Sequence, residues 1–167
     1  MNTIWYLLKC PKGKEDDYTE QCQKLAVFDG SNLQQVICFE YQRMMRYGGR
    51  WHMERKKLFP GWIFLSGTRD MASGIYKADG CWIEQSISLI PCQTPYMKHL
   101  CQGGNVIRMS RGMIKEGKAV ITSGPLKGQE RLIRRIDRHK RTAEIEIPFV
   151  DKDIRVTVGL EIYEKQQ

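Results

Sequence analysis

The chain has 167 residues, and its apolar content of 41% is ordinary for a globular protein and sufficient for a core. No apolar run approaches the ~20 residues that a membrane helix needs, so we expect no membrane partner. The 27 lysines and arginines outnumber the 19 aspartates and glutamates and give a formal net charge of +8. This balance favours a polyanionic partner, nucleic acid first, and an ordinary basic enzyme remains the alternative.

The spacing of the cysteines does not indicate a metal site. The six cysteines stand at positions 10, 22, 38, 81, 92 and 101 and form no Cys-x-x-Cys pair, and His52, His99 and His139 are scattered. Structural zinc sites usually use closely spaced pairs. We therefore expect no metal and no cofactor, and cysteines that act as small buried hydrophobic residues in a reducing cytosol.

The N-terminal part alternates strands and helices. Ile4 to Leu8 is apolar throughout and predicts a strand covered on both faces. No basic leader or cleavage site precedes this run, so we expect a cytoplasmic protein. A helix pattern begins at Glu15, where three acidic residues suit the positive end of a helix. Its apolar stripe is Tyr18, Cys22, Leu25 and Ala26. A second strand is predicted from Val36 to Phe39.

Two arms around Gly48-Gly49 predict a β-hairpin from Glu40 to Lys57. Its candidate phosphate contacts are Arg43, Arg46 and Arg50. The aromatic residues interleaved with them are Tyr41, Tyr47 and Trp51. The functional interpretation is a basic arm along phosphates, with rings that stack on a splayed base. The alternative is a solvated hairpin whose long cationic side chains protect the strand edges.

The most apolar stretch is Leu58 to Leu65, which contains Pro60-Gly61. It predicts a buried central strand whose start is bent by that dipeptide. One interpretation is simply the core of a sheet. The other is that Phe59 and Trp62 surface at one edge as an aromatic docking patch.

The pattern from residue 66 to residue 116 is weaker. Residues 66–79 predict a helix or turn, and residues 80–83 a short strand. Thr94 is a candidate N-cap with Pro95 at the first helical position, so a short helix is expected up to Leu100. We predict a first domain at 1–101 and a flexible linker at 102–116, because residues 105–116 show no clean period and contain Gly112.

The remainder, 117–167, predicts a train of short strands separated by turn signals. They are expected at 119–122, 130–133, 143–147, 154–158 and 161–163. Five short strands in ~50 residues fit a small five-stranded β-barrel. A helical hairpin is the alternative, against which the alternation and the glycines argue. The predicted fold class is α+β: an N-terminal α/β sandwich of antiparallel sheet and helices, then this barrel.

One stretch of the C-terminal domain is strongly basic and is opposed locally by Asp137 alone. Leu132, Ile133 and Ile136 are expected to face the core, which leaves the cations outside. Crowded cations repel one another unless a polyanion neutralises them, and a solvated basic face is the alternative. The candidate nucleic-acid contacts are Lys127, Arg131, Arg134, Arg135, Arg138, His139, Lys140 and Arg141.

Several segments together resemble the NusG family of transcription elongation factors. They are Trp5-Tyr6, Leu58-Phe59-Pro60-Gly61-Trp62-Ile63-Phe64, Gly117-x-x-Val120 and Gly124-Pro125-Leu126-Lys127-Gly128. The resemblance covers nearly the whole chain, as an N-terminal NusG domain, a linker and a KOW domain. The basic stretch and the ending Thr157-Val158-Gly159-Leu160-Glu161 look closest to the LoaP group, whose members are processive antiterminators.

The resemblance implies a bacterial, cytoplasmic, monomeric binding protein. Its N-terminal domain would bind the β′ clamp helices of RNA polymerase through Tyr6, Phe59 and Trp62. Its KOW domain would hold an RNA hairpin or duplex DNA, and Lys12 and Lys14 would add phosphate contacts after the first strand. A general elongation factor that binds Rho or a small-subunit ribosomal protein, and a KOW RNA-binding protein unrelated to polymerase, remain alternatives.

Two further expectations concern the second polymerase contact and catalysis. The segment at 71–73 falls near the family's second polymerase contact but lacks the threonine-rich form known in some paralogs. We find no nucleophile-base pair, and the segment at 124–128 lacks the Gly-Lys-Ser/Thr ending of a phosphate-binding loop. We therefore expect no enzymatic activity.

Overall fold

The computed structural model of the chain describes residues 4–28, 33–67, 87–89, 94–149 and 152–167. Within these ranges the fold is mostly β, with few helices. The helices are α1 (Glu15–Phe28), α2 (Thr94–Leu100) and one 3₁₀ turn (Glu130–Leu132). The strands are β1 (Ile4–Lys9), β2 (Leu33–Ile37), β3 (Glu40–Tyr47), β4 (Arg50–Lys57), β5 (Trp62–Gly67), β6 (Ile87–Leu89), β7 (Val106–Ile107), β8 (Ser110–Lys115), β9 (Lys118–Ser123), β10 (Ile133–Asp137), β11 (Thr142–Phe149) and β12 (Lys152–Gln166). No helix among the described residues has the length and apolar character needed to cross a membrane.

The chain forms two compact units, which we call the N-terminal unit (1–39 and 59–93) and the C-terminal unit (40–58 and 94–167). The β3–β4 hairpin belongs to the C-terminal unit. This grouping differs from the predicted boundaries at 101 and 117, because the hairpin makes its contacts with the C-terminal strands. The division at those boundaries into functional domains stays a prediction.

The N-terminal unit is built on a four-stranded antiparallel sheet in the order β2–β5–β1–β6. On one face Tyr6 lies opposite Leu65 and Leu8 opposite Ile63. This face packs against α1 through Cys22 in the apolar cluster. Leu7 and Phe64, on the other face, are also buried, so the predicted strand covered on both faces is confirmed.

The boundaries around the apolar stretch differ from the prediction. The strand begins at Trp62, not at Leu58, and the Trp62 amide donates to the Phe59 carbonyl at 3.1 Å in a turn. Gly61 has a φ of +85°, which side chains rarely tolerate, so the Pro-Gly dipeptide makes a turn before the strand. β2 ends at Ile37, before the predicted limit, and Phe39 joins an aromatic cluster instead.

Some predicted features lie outside the described residues. They are most of the helix or turn at 66–79 with the segment at 71–73, the strand at 80–83, the side chains of Leu25 and Ala26, and Cys81 and Cys92. The four described cysteines, Cys10, Cys22, Cys38 and Cys101, are buried, as the sequence predicts.

The C-terminal unit contains a five-stranded sheet in the order β10–β11–β12–β8–β9 and a three-stranded sheet in the order β4–β3–β7. β12 is long enough to pair with two partners: its first half runs antiparallel to β11 and its second half parallel to β8. On β11 the alternating residues Ala143, Ile145 and Ile147 are buried, which confirms the period-two pattern.

Three predictions for this part were wrong in detail. Residues 130–132 form a 3₁₀ turn, not a strand, and the two predicted strands at 154–158 and 161–163 are one strand, β12. The range predicted as a linker contains β7 and β8. Seen in the sequence alone, Gly112 favours a flexible segment. In the structure a Cβ there would lie 2.5 Å from the Val120 carbonyl oxygen, so the glycine permits a close strand approach. The α/β sandwich and the closed barrel stay predictions.

Candidate nucleic-acid interface

The predicted hairpin is confirmed, and the structure separates its three aromatic residues. Gly48 and Gly49 both have positive φ and form its turn. Tyr41 is buried at 8% exposure, so it belongs to the core. Tyr47, at the tip, is 52% exposed and stacks on His52 with the ring centroids 3.8 Å apart. The ring of Trp51 is covered by arginines, as described next.

Trp51 connects the hairpin to the turn between β10 and β11. The Arg141 guanidinium carbon lies 3.9 Å from the centroid of the Trp51 ring, and that of Arg46 lies 6.0 Å from it. Cations attract the electron-rich face of an indole ring, and the interaction strengthens when water is excluded. The structure therefore brings together two basic segments that are distant in sequence.

We call the combined patch the basic surface. It comprises Arg43, Arg46 and Arg50 of the hairpin and Arg135, Arg138, His139, Lys140 and Arg141 of β10 and the following turn. Arg138, His139 and Lys140 are exposed. Leu132 is buried and Ile133 and Ile136 are half-buried, so the cations lie on the outside as the sequence predicts.

Carboxylates from other strands neutralise part of the predicted cation cluster. Arg134 lies 3.5 Å from Glu146 through both Nε and Nη2, and Arg155 Nε lies 3.3 Å from the same carboxylate. Hydrogen bonds from Arg134 and Arg155 hold the pKa of Glu146 below its usual value. The sequence expectation that Asp137 alone opposes these cations was incomplete, because Glu146 comes from β11.

The turn itself is fixed by two further acidic residues. The Lys140 amide donates to Asp137 Oδ1 at 2.9 Å, and this hydrogen bond is the main cause of the lowered pKa of Asp137. Arg141, whose φ is +52°, forms an ion pair with Glu161 at 3.2 Å. The turn therefore has a defined shape in which Arg138, His139 and Lys140 are exposed.

The remaining predicted nucleic-acid residues are more dispersed. Arg131 is exposed and donates to the Tyr96 hydroxyl at 3.3 Å, and Lys127 is exposed in the turn after Gly124. Lys12 and Lys14 are exposed in the loop between β1 and α1 of the N-terminal unit, where Lys14 lies 3.7 Å from Asp17. Their role in binding stays a prediction.

The three predicted polymerase contacts differ in exposure. Tyr6 and Phe59 are each 8% exposed, and Trp62 is half-buried. The ring of Phe59 packs against Phe39 and Phe64 at centroid distances of 6.4 and 5.2 Å. Of the three, Trp62 therefore offers the most surface to a partner.

A polar pocket of about 630 Å³ lies beside β7 and is lined by Arg55 and Arg108 among others. Cys101 forms part of its wall, and burial raises the pKa of that thiol to about 12. The thiol is therefore protonated at neutral pH and is a poor nucleophile. Among the described residues no three His, Cys, Asp or Glu side chains are grouped as a metal site would need.

No protein-family model and no curated protein matches the chain. Among solved structures the chain is similar to NusG of Thermotoga maritima, in a structure described as showing domain interaction in that protein. The TM-score is 0.57 at 16% sequence identity, and the match covers 97% of this chain and 95% of the other. The likeness shows that the chain has a NusG-like fold over nearly its whole length.

Proposed function

We propose that the chain is a NusG-type transcription factor that contacts RNA polymerase with its N-terminal unit and holds nucleic acid on the basic surface. The observation that carries the proposal is the contact of Trp51 with Arg141, which joins hairpin and turn cations into one surface. The NusG-like fold supports the polymerase half of the proposal. The factor acts by binding, without catalysis of its own.

For polymerase, the proposed contact is the β′ clamp helices, with Trp62 as the anchor. Large rigid aromatic side chains bury much area at little entropic cost, and such anchors dominate many interfaces. Tyr6 and Phe59 are buried, so they support the contact surface by packing beneath it and do not themselves offer much area to the partner. Bridging the polymerase would favour its elongating state over its paused state by a shift of population.

The polymerase contact is tested by binding to purified RNA polymerase. Trp62→Ala is expected to weaken binding at least roughly tenfold, the order expected for an interface hot spot. Phe59→Ala is expected to lower stability first, so thermal unfolding is measured for both variants. Wild-type affinity in a folded Trp62→Ala variant would refute the assignment of the anchor.

For nucleic acid, we propose an RNA hairpin in the nascent leader as the partner, as in the LoaP group, with duplex DNA as the competing ligand. Arginines bind phosphates and recognise the shape of the groove. Because phosphate binding releases counterions, the affinity falls as the salt concentration rises. Arg138→Gln with Lys140→Gln is expected to flatten the salt dependence, with a slope smaller by roughly one unit per lost contact. The matched control is Lys115→Gln with Lys118→Gln, two exposed lysines beside the β8–β9 turn.

The functional test is readthrough past an intrinsic terminator by purified polymerase, with and without the cognate leader. Increased readthrough only with the leader supports the LoaP-type function. Increased readthrough that does not depend on the leader, together with binding of the protein to Rho or a ribosomal protein, supports the alternative function as a general elongation factor. No increase in either condition contradicts the proposal.

A further inference from the structure

We propose that a pocket between β3 and the outer face of β10, β11 and β12 binds an unpaired guanine base; this inference rests on the proposed nucleic-acid function and makes it sequence-specific. The pocket has a volume of about 210 Å³. Its lining includes Arg43 from the hairpin and Arg135, Asp137, Lys140 and Glu144 from the five-stranded sheet and its turn. It therefore exists only where the hairpin and the sheet meet.

Arg43 supplies the first donor available to a ligand in the pocket. Its Nε–H is buried and has no hydrogen-bond acceptor among the residues that the structure describes. Glu54, which lies opposite Arg43 across the hairpin, is paired with Lys56 at 3.3 Å instead. A buried charged donor without an acceptor is strongly unfavourable, and buried polar groups in native proteins nearly always have partners. The Arg43 side chain lines the pocket, so an acceptor on a ligand there can bind its guanidinium group.

The mixture of charges in the lining selects the kind of ligand. Arg43, Arg135 and Lys140 are donors only, whereas Asp137 and Glu144 are acceptors only. A phosphate group offers only acceptors, and the two carboxylates would repel it. A metal ion would be repelled by the three cations. A ligand with both acceptors and donors on its edges meets neither objection, and the hydroxyls of Thr142 and Thr157 can serve either role.

Guanine has this arrangement of groups. Its O6 and N7 form an acceptor pair that arginine binds with two hydrogen bonds. Its N1–H and N2 amino group form a donor pair that a carboxylate can accept. Asp137 already accepts the Lys140 amide through one oxygen, so we assign the donor pair to Glu144. Adenine would present an amino donor where an arginine needs an acceptor.

The size of the pocket also suits a base. Its volume of about 210 Å³ is more than ten times the roughly 15 Å³ that a cavity needs to hold one water molecule, which is ample for a flat heterocycle. Arg135 and Lys140 are exposed, so the pocket is reached from the basic surface. A base inside a duplex cannot enter, whereas loops and bulges of RNA display unstacked bases. The pocket would therefore read the loop of a hairpin while the basic surface holds its phosphates.

The test uses the full-length protein and short, uridine-rich single-stranded RNAs that differ at one central base. The four probes carry guanosine, inosine, 7-deazaguanosine or adenosine, so that the N2 amino group and N7 are removed separately. The wild type is expected to bind the guanosine probe roughly tenfold more tightly than each of the others. Arg43→Gln should abolish the difference between guanosine and 7-deazaguanosine, and Glu144→Gln the difference between guanosine and inosine.

Arg50→Gln is the matched control, since Arg50 is an exposed cation of the same hairpin that does not line the pocket. It should weaken all four probes in parallel and leave their ratios unchanged. Equal binding of the four probes by the wild type would overturn the guanine pocket while the proposed function stands. Absence of RNA binding at low salt would overturn both. Should Arg43→Gln fail to fold, the relative affinities of the wild type for the four probes and those of Glu144→Gln for guanosine and inosine still test the guanine pocket.

Discussion

At the scale of single residues, one buried carboxylate holds the turn that precedes the central strand. Glu15 is 2% exposed, and its Oε1 accepts the Gly61 amide at 2.8 Å. Both of its oxygens also accept the Gly13 amide, at 3.1 and 3.0 Å. The sequence predicts acidic residues at the start of this helix. It cannot show which of three consecutive acids turns inward, because all three suit the helix dipole equally.

Glu15→Ala is expected to lower the free energy of unfolding by about 2 kcal/mol, because it leaves the buried Gly61 amide without its acceptor. Urea unfolding measures the change. Asp17→Ala is the control: the Asp17 side chain is 65% exposed, so its removal should change stability by less than about 0.5 kcal/mol. Equal losses in the two variants would contradict the role given to Glu15.

Cys101 gives a second prediction at this scale. Burial raises the pKa of its thiol to about 12, so the reactive thiolate is scarce at pH 8. In the folded protein Cys101 is expected to resist iodoacetamide at pH 8, and in denaturant it should react fully. Peptide mass mapping after timed labelling follows this residue separately from the other cysteines. Rapid labelling of Cys101 in the native protein would show that the wall of the larger pocket opens.

At the scale of elements, glycines explain both a success and a failure of the sequence reasoning. Gly48-Gly49 predicts the hairpin correctly, because a two-residue turn needs two positive φ values. Gly112 was interpreted as a sign of a flexible linker, because a glycine that permits close strand packing cannot be distinguished in sequence from one that gives flexibility. The pairing of β8 with β12 links segments far apart in the chain, and no local pattern reports it.

Gly159 is the element-scale test of how the hairpin meets the C-terminal sheet. A Cβ at this position would overlap the carbonyl oxygen of Gln42 in β3 and the sulfur of Met109. Gly159→Ala is therefore expected to destabilise the protein by about 1–3 kcal/mol, the usual range for overpacking. Gly104→Ala is the control, since its Cβ would make an ordinary contact of 3.5 Å with the Cys101 carbonyl.

Thermal unfolding measures both glycine variants, and hydrogen exchange shows where protection is lost. The Gly159→Ala loss should extend to β3, whose carbonyl lies against this glycine, whereas Gly104→Ala should leave exchange there unchanged. A stable Gly159→Ala variant with wild-type protection in the hairpin would mean that β3 does not lie against β12 in solution.

At the scale of the whole molecule, the net charge of +8 follows directly from the sequence, but the distribution of the charges over the surface does not. The basic stretch and the basic hairpin are each evident from composition, and both lie on the surface described above. Their union through Trp51 and Arg141 could not be predicted, because it depends on how non-adjacent strands meet. The capture of Arg134 by Glu146 was missed for the same reason. Period-two patterns place a side chain on a face but do not name its neighbour across the sheet.

Glu146→Gln tests whether that captured charge is part of the interface. At neutral pH the variant should bind the RNA hairpin a few-fold more tightly, with a steeper salt dependence, because Arg134 and Arg155 lose their shared carboxylate. Glu164→Gln is the control: it changes the net charge equally but removes a carboxylate that bonds only to Gln166 among the described contacts. An equal gain in RNA affinity in both variants would indicate a general effect of net charge and no local release of Arg134 and Arg155.

The same carboxylate predicts a pH dependence with a defined sign. The pKa of Glu146 is lowered in the folded protein, so its ion pairs stabilise the fold above the unfolded value near 4.5 and are lost as pH falls through the lowered pKa. Protonation then releases the arginines in the wild type as the substitution does in Glu146→Gln. The two proteins should therefore converge in thermal stability and in RNA affinity at acidic pH and differ at pH 7. A difference that persists unchanged below the lowered pKa would mean that the glutamine acts through something other than the lost charge.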